Sequence, residues 1–290
     1  MPRAGRIRIR WRRGCAEAVT TLSAWDGLAL KVHCWGQDDG RLPLLCLPGL
    51  VRTGLDFEDL AARHPGRRVV APDYAGRGDS GRARDVARYA PEACLRDVMD
   101  ACAALHLHRA IVVGTSMGGL LAMGLAAARP GLVAGVVLND IGPEIGAAGV
   151  EMVRGFVGHD PAAADEAAAA SLLRARLPDL SLKTEAEWLR MARLTYAPGA
   201  DGRWHPRWDI RIAQLLGRPA PPLWPLFGAL EGVPVLLVHG LRSTILVEAT
   251  VSRMRAARPD MGYVALPEVG HAPHLGEPEV AGVLDGFLGS

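Results

Sequence analysis

Val112-Val113-Gly114-Thr115-Ser116-Met117-Gly118-Gly119 is the stretch on which the reading of this chain turns. An apolar strand runs into G-x-S-x-G, and a helix-forming stretch, Leu120 to Arg129, follows. Strand, turn and helix in that order predict a sharp elbow, where small glycines make a strained serine backbone possible and the hydroxyl is lifted above a sheet. The plainer alternative is a Gly-rich connection with no chemistry attached, because a five-residue pattern also arises by chance.

Working outward, short apolar runs alternate with helical patterns: Leu44 to Leu47, Arg68 to Ala71, Ala110 to Val113, Val133 to Leu138, Val235 to His239 and Tyr263 to Leu266. This alternation predicts an α/β fold, a mainly parallel sheet with helices on both faces. Val19 to Ala24 and Leu28 to Trp35 flank Trp25-Asp26-Gly27, a hairpin signal that makes the sheet mixed. From 143 to 232 the strand runs stop, so residues 1–142 and 233–290 read as the core and 143–232 as a helical cap insertion. Ala162 to Leu177 and Glu185 to Leu194 are its expected helices, and Pro219, Pro221, Pro222 and Pro225 punctuate the return.

Composition narrows the function classes. Thirty-three Lys and Arg against 31 Asp and Glu give a formal charge of +2, so nothing general points to nucleic acid or an anionic membrane. Arg3, Arg6, Arg8, Arg10, Arg12 and Arg13 form a local exception, read as a flexible basic extension over residues 1–17. No apolar run approaches the roughly 20 residues that cross a bilayer, so a soluble protein is expected. The five cysteines, Cys15, Cys34, Cys46, Cys94 and Cys102, are odd in number and contain no C-x-x-C pair. That argues against a disulfide framework and a zinc site and fits a reducing, cytoplasmic compartment.

Four segments, in order, resemble the α/β-hydrolase family over nearly the whole chain. Leu47-Pro48-Gly49-Leu50 looks like the loop after the family's third strand, and Pro72-Asp73-Tyr74-Ala75-Gly76-Arg77-Gly78-Asp79-Ser80 like the turn after the fourth, with Ala75 replacing a common arginine. The elbow is the third. Gly270-His271-Ala272-Pro273 with Glu277-Pro278-Glu279 resembles the histidine loop after the last strand. The resemblance implies Ser116 as nucleophile, His271 as its base, and the backbone N–H groups of Leu50 and Met117 as oxyanion donors. The chemistry needs them together: a serine hydroxyl is a weak nucleophile until an imidazole accepts its proton, and paired donors then stabilise the oxyanion. His64, His106, His108, His159 and His205 read as solvated or capping residues, and His239 as a site-lining or a buried supporting residue.

The family pattern fails at the acid. After Val238-His239-Gly240 come Leu241, Arg242, Ser243, Thr244, Ile245 and Leu246, with Thr244 standing where relatives usually carry Asp. Either the acid has moved to Asp140, after the preceding strand, or it has been lost; Asp140 also reads as a simple loop brace, with Glu144 and Glu248 as weaker candidates. The resemblance implies hydrolysis of an ester, thioester or lactone through a Ser116 acyl-enzyme, acting on a small, apolar substrate without metal or organic cofactor. Carbon–carbon bond hydrolysis of a diketone-like substrate, and a non-catalytic small-ligand-binding protein lacking the acid, are the alternatives. The cap aromatics Trp188, Tyr196, Trp204, Trp208, Trp224 and Phe227 are expected mostly to pack, with some lining a cleft.

Overall fold

The computed structural model describes residues 17–216 and 221–289. Arg3 to Arg13, Cys15 and Pro219, read above from sequence, lie outside them. Strands β1 (Glu17–Ser23), β2 (Ala29–Trp35), β3 (Leu44–Leu47), β4 (Val69–Pro72), β5 (Ala110–Thr115) and β6 (Val133–Asn139) precede a small ribbon, β7 (Tyr196–Pro198) with β8 (Trp204–Pro206). Two more, β9 (Val235–Gly240) and β10 (Gly262–Leu266), complete an eight-stranded sheet in the order β1-β2-β4-β3-β5-β6-β9-β10. From β4 to β10 all neighbours run parallel, whereas β1–β2 and β2–β4 are antiparallel. The sheet is therefore mixed, as the hairpin signal predicted, and Gly27 turns that hairpin with φ 86°.

Central strands are buried on both faces, which is why they read as continuous apolar runs. Alternate residues serve opposite layers. Leu45, Leu47, Val112, Val136 and Leu237 pack one way, beneath α2 (Pro91–Ala104), α3 (Met117–Ala128), and residues of α7 (Trp224–Gly228) and α8 (Glu248–Ala257). Leu44, Cys46, Val113, Val137 and Leu236 pack the other way, against α1 (Glu58–Arg63) and α9 (Pro278–Gly289). Cys34, Cys46, Cys94 and Cys102 are all free thiols in this core. Burial pushes the Cys34 thiol up to about 11.

Between β6 and β9 the chain forms α4 (Ala147–Val157), α5 (Glu166–Arg176), α6 (Glu185–Thr195) and the β7–β8 ribbon. The expected helix from Ala162 starts later, because Ala162 takes φ 41° and the Asp165 carboxylate caps α5 by accepting from the Ala168 N–H at 2.8 Å. Thr184 and Glu187 form a capping box that fixes the start of α6. Val157, Leu173, Trp188, Ala192, Tyr196, Trp208 and Ile212 make this segment's own core, joined by Ala75 and Tyr89 from the main body. Among the described residues no helix is long and apolar enough to cross a membrane.

Candidate active site

The elbow is built by close approach. A Cβ on Gly118 would stand 1.9 Å from the Leu47 carbonyl oxygen, and one on Gly114 would stand 2.5 Å from the Gly118 oxygen. Only glycine lets α3 descend this tightly onto β3 and β5. Between them Ser116 adopts φ 52°, ψ −119°, a conformation that L-residues rarely hold, and its N–H donates to the Asn139 carbonyl at 3.0 Å.

Two further loops meet the serine. His271 Nε2 lies 2.8 Å from Ser116 Oγ, and its Nδ1 lies 2.7 Å from Asp140 Oδ2. With Nδ1–H donated to the carboxylate, Nε2 is left free to accept the serine proton. Asp140 is fully buried, and its other oxygen accepts the Gly240 N–H at 2.9 Å. Its φ of 54° suits a short polar side chain and turns it out of the β6 direction. Its own N–H is tied to the Val238 carbonyl at 2.8 Å. The structure thus brings Ser116, His271 and Asp140 into one hydrogen-bonded row. Thr244 is exposed and outside that row.

Met117 opens α3, where a first-turn N–H has no intrahelical acceptor. Leu50 lies in a turn closed by the Arg52 N–H donating to the Gly49 carbonyl at 3.1 Å, and a Cβ on Gly49 would stand 3.8 Å from Ser116 Cβ. Leu50 and Ser116 line one cavity, and Met117 directly follows the serine. The turn is braced twice in ways the sequence did not reveal. Fully buried Arg77 donates Nε–H to the Leu50 carbonyl at 2.8 Å, while Arg52 pairs with Asp56 at 2.6 Å and donates to Thr195 Oγ1 at 2.5 Å, linking the turn to α6. Asn139 was also unforeseen: its Nδ2 donates to Thr115 Oγ1 at 3.1 Å and to the Pro273 carbonyl at 2.8 Å, fastening the histidine loop to the elbow.

Of the other histidines, His274 also lines the cavity beside His271, whereas His64, His106, His108, His159, His205 and His239 do not. His239 is buried between Tyr263 Oη and the Leu246 carbonyl, both at 3.0 Å, so it supports the loop after β9 and does not line the cavity. His205 bridges Asp160 and Asp201, and those carboxylates raise its pKa. Glu144 accepts from Trp224 and Arg253, and Glu248 from Ser252, so neither weaker acid candidate is bonded to His271.

Ser116 and His271 open on a cavity of about 290 Å³. The segment between β6 and β9 walls it mainly with aliphatic and sulfur-bearing side chains, Met152, Val153, Leu177, Leu180, Met191 and Leu194, joined by Phe156 and by the charged Glu187 and Arg190. None of the six aromatics singled out from sequence lines it; Trp188, Tyr196, Trp208 and Phe227 are buried in packing. Glu187 at the wall accepts from the Thr184 and Lys183 N–H groups, which hold its carboxyl below the usual range.

The chain is 33% identical over 271 residues to the 3-hydroxybutyrate-oligomer hydrolase of Cupriavidus necator, covering 89% of this chain and 92% of that one. It is 29% identical to the sn-1-specific diacylglycerol lipase of Mus musculus over 83% of this chain and 79% of the lipase. An alpha/beta hydrolase from Novosphingobium aromaticivorans superposes with a TM-score of 0.89 at 39% identity, over 95% of this chain and 99% of that one. The model of the alpha/beta hydrolase family matches residues 44–282, which hold the elbow, both flanking loops and the histidine loop, and the chain belongs to that family.

Proposed function

We propose that this hydrolase cleaves carboxylic esters through a Ser116 acyl-enzyme. The observation that carries the reading is the row Ser116–His271–Asp140, 2.8 and 2.7 Å, at the floor of a largely apolar cavity. His271 Nε2 takes the Ser116 proton as Oγ attacks the ester carbonyl, and the Leu50 and Met117 N–H groups receive the oxyanion. Collapse breaks the acyl–oxygen bond, and the departing alcohol takes the proton from Nε2. A water molecule then gives a proton to Nε2 as it attacks the acyl-enzyme, and the proton returns to Ser116 with release of the acid. Asp140 holds the imidazole in the required tautomer and balances its charge.

Catalysis is favoured over non-catalytic ligand binding because Asp140 offers His271 a carboxylate at 2.7 Å, so a neutral Thr244 does not require a lost acid. For substrate, the relative named for 3-hydroxybutyrate oligomers favours short oligoesters of a hydroxy acid over thioesters, lactones or diketones. The segment between β6 and β9 acts as the cap that selects the acyl group, through walls of Val153, Met191 and Leu194. A serine-directed fluorophosphonate probe should label wild type at Ser116 and fail on Ser116→Ala, which should also lose turnover of short aryl esters by about 10⁴-fold or more. Undiminished turnover in Ser116→Ala would remove the assignment.

A further inference from the structure

We propose that a second cavity beside His271 receives the alcohol half of the substrate and selects an alcohol that carries a free carboxylate. This rests on the reading of Ser116 and His271 as the ester-cleaving pair. The cavity measures about 70 Å³ and is walled by Arg176, Asp179, Arg242, Thr244 and His271. It shares Met152, Leu177, Leu180 and His271 with the larger cavity, so the two abut at the base.

Chemistry assigns the two halves of the ester. The leaving oxygen must reach His271 Nε2 to be protonated, which draws the alcohol toward the imidazole. The acyl half is drawn the other way, into the large cavity lined by Leu50, because its carbonyl oxygen must reach the oxyanion donors.

Charge then distinguishes the cavities. In the large one each cation is already matched: Arg52 holds Asp56 at 2.6 Å, and Arg190 holds Asp59 at 2.6 Å and Glu58 at 3.0 Å. In the small one Arg242 is shared between Asp179 at 3.2 Å and Glu268 in a close contact, but exposed Arg176 makes no ion pair or hydrogen bond among the described residues. Thr244 adds no negative charge to this wall. A carboxylate at that position would repel an anion; with Asp140 serving His271, the position is free to be neutral. A guanidinium with open N–H donors is the natural partner of a carboxylate.

Size sets the length of the alcohol. At about 10–15 Å³ for one water, the space holds roughly five waters' worth of atoms, enough for a carboxylate on a short carbon stem and too little for a further ester unit. On an oligoester of a short hydroxy acid, the bond cut is therefore the one nearest the carboxyl end. Water adds across that bond, and one free hydroxy acid leaves per cycle.

The test uses a 3-hydroxybutyrate trimer with a free carboxyl end and the same trimer as its methyl ester, both acetylated at the hydroxyl end. Wild type should favour the free acid by about tenfold in kcat/KM, less at high salt, and should release free monomer first. Arg176→Gln should bring that ratio toward one, and Arg176→Glu should push it below one; Arg176 is exposed, so neither change threatens the fold. Equal use of the two trimers by wild type, or a preference that survives Arg176→Glu, overturns the subsite while leaving Ser116-dependent ester cleavage standing. Failure to cleave any ester, p-nitrophenyl butyrate included, overturns the ester reading and the subsite with it.

Discussion

β6 and β9 are parallel neighbours with Asn139 opposite Val238, and each is followed by a loop that reaches His271. After β6 the chain turns at once through a left-handed Asp140, whose carboxylate receives both His271 Nδ1–H and the Gly240 N–H. After β9 it runs outward: Leu241, Arg242 and Thr244 are exposed, and Thr244 meets His271 only as a wall of the small cavity. A buried carboxylate is tolerable only where donors surround it, and at the end of β6 the His271 ring and the Gly240 N–H of neighbouring β9 supply them. The position of the acid therefore follows from which strand end turns a carboxylate onto both His271 Nδ1 and the Gly240 N–H. The end of β9 packs against Val269 and Gly270 at Gly240, and the loop beyond it carries an exposed wall residue in place of an acid.

The largest break in this comparison is Asp140→Asn. The amide keeps the shape but offers no charge to an imidazolium and can fix the wrong tautomer, so kcat on a neutral aryl ester should fall by about 10³-fold. Probe labelling of Ser116 should slow in parallel, with circular dichroism unchanged. A loss below about threefold would mean that Asp140 only braces its loop.

Gly240 joins the two strand ends, since its N–H serves Asp140 while a Cβ there would stand 2.6 Å from the Val269 and Gly270 carbonyl oxygens. Gly240→Ala must move the backbone that carries His271, so kcat should drop by about tenfold or more and the melting temperature should fall. A smaller loss, about fivefold to tenfold, is expected for Asn139→Ala, which releases the Pro273 carbonyl and Thr115 together. Unchanged kcat in that variant would show that the histidine loop holds itself.

Legibility in the sequence follows the range of the interactions. The elbow was readable because its requirements are local: Gly114, Ser116 and Gly118 lie within five residues and the clashes they avoid come from one turn and one neighbouring strand. Strand positions were readable to within about two residues because full burial writes itself as an apolar run. Asp140 could be nominated but not chosen, since the choice depends on Gly240 and His271, 100 and 131 residues away. Arg52, Arg77 and Asn139 carried no signal, because each works by reaching a carbonyl or side chain that only the fold brings near. In the insertion, α4 and the β7–β8 ribbon went unread, and the aromatic-rich composition misdirected attention from the aliphatic residues that form the cavity wall.

The smallest effect should come from Thr244→Asp, which places a carboxylate in the loop after β9. His271 Nδ1 has one proton to give, and Asp140 already accepts it at 2.7 Å from a fully buried position that screening by water does not weaken. The loop that holds Thr244 is also fixed: Ser243 Oγ accepts from the Ile245 and Leu246 N–H groups at 3.2 and 3.3 Å, His239 holds the Leu246 carbonyl, and a Cβ on Gly146 would stand 2.2 Å from the Thr244 carbonyl oxygen. A new carboxylate at this exposed position adds a solvent-screened charge to an imidazolium that is already balanced, worth about 1 kcal/mol at most. On a neutral aryl ester kcat should therefore change by less than about fivefold. A rise of about 10²-fold would show instead that the chain is an acid-deficient hydrolase whose missing carboxylate belongs after β9, and that the Asp140 contact contributes little to turnover.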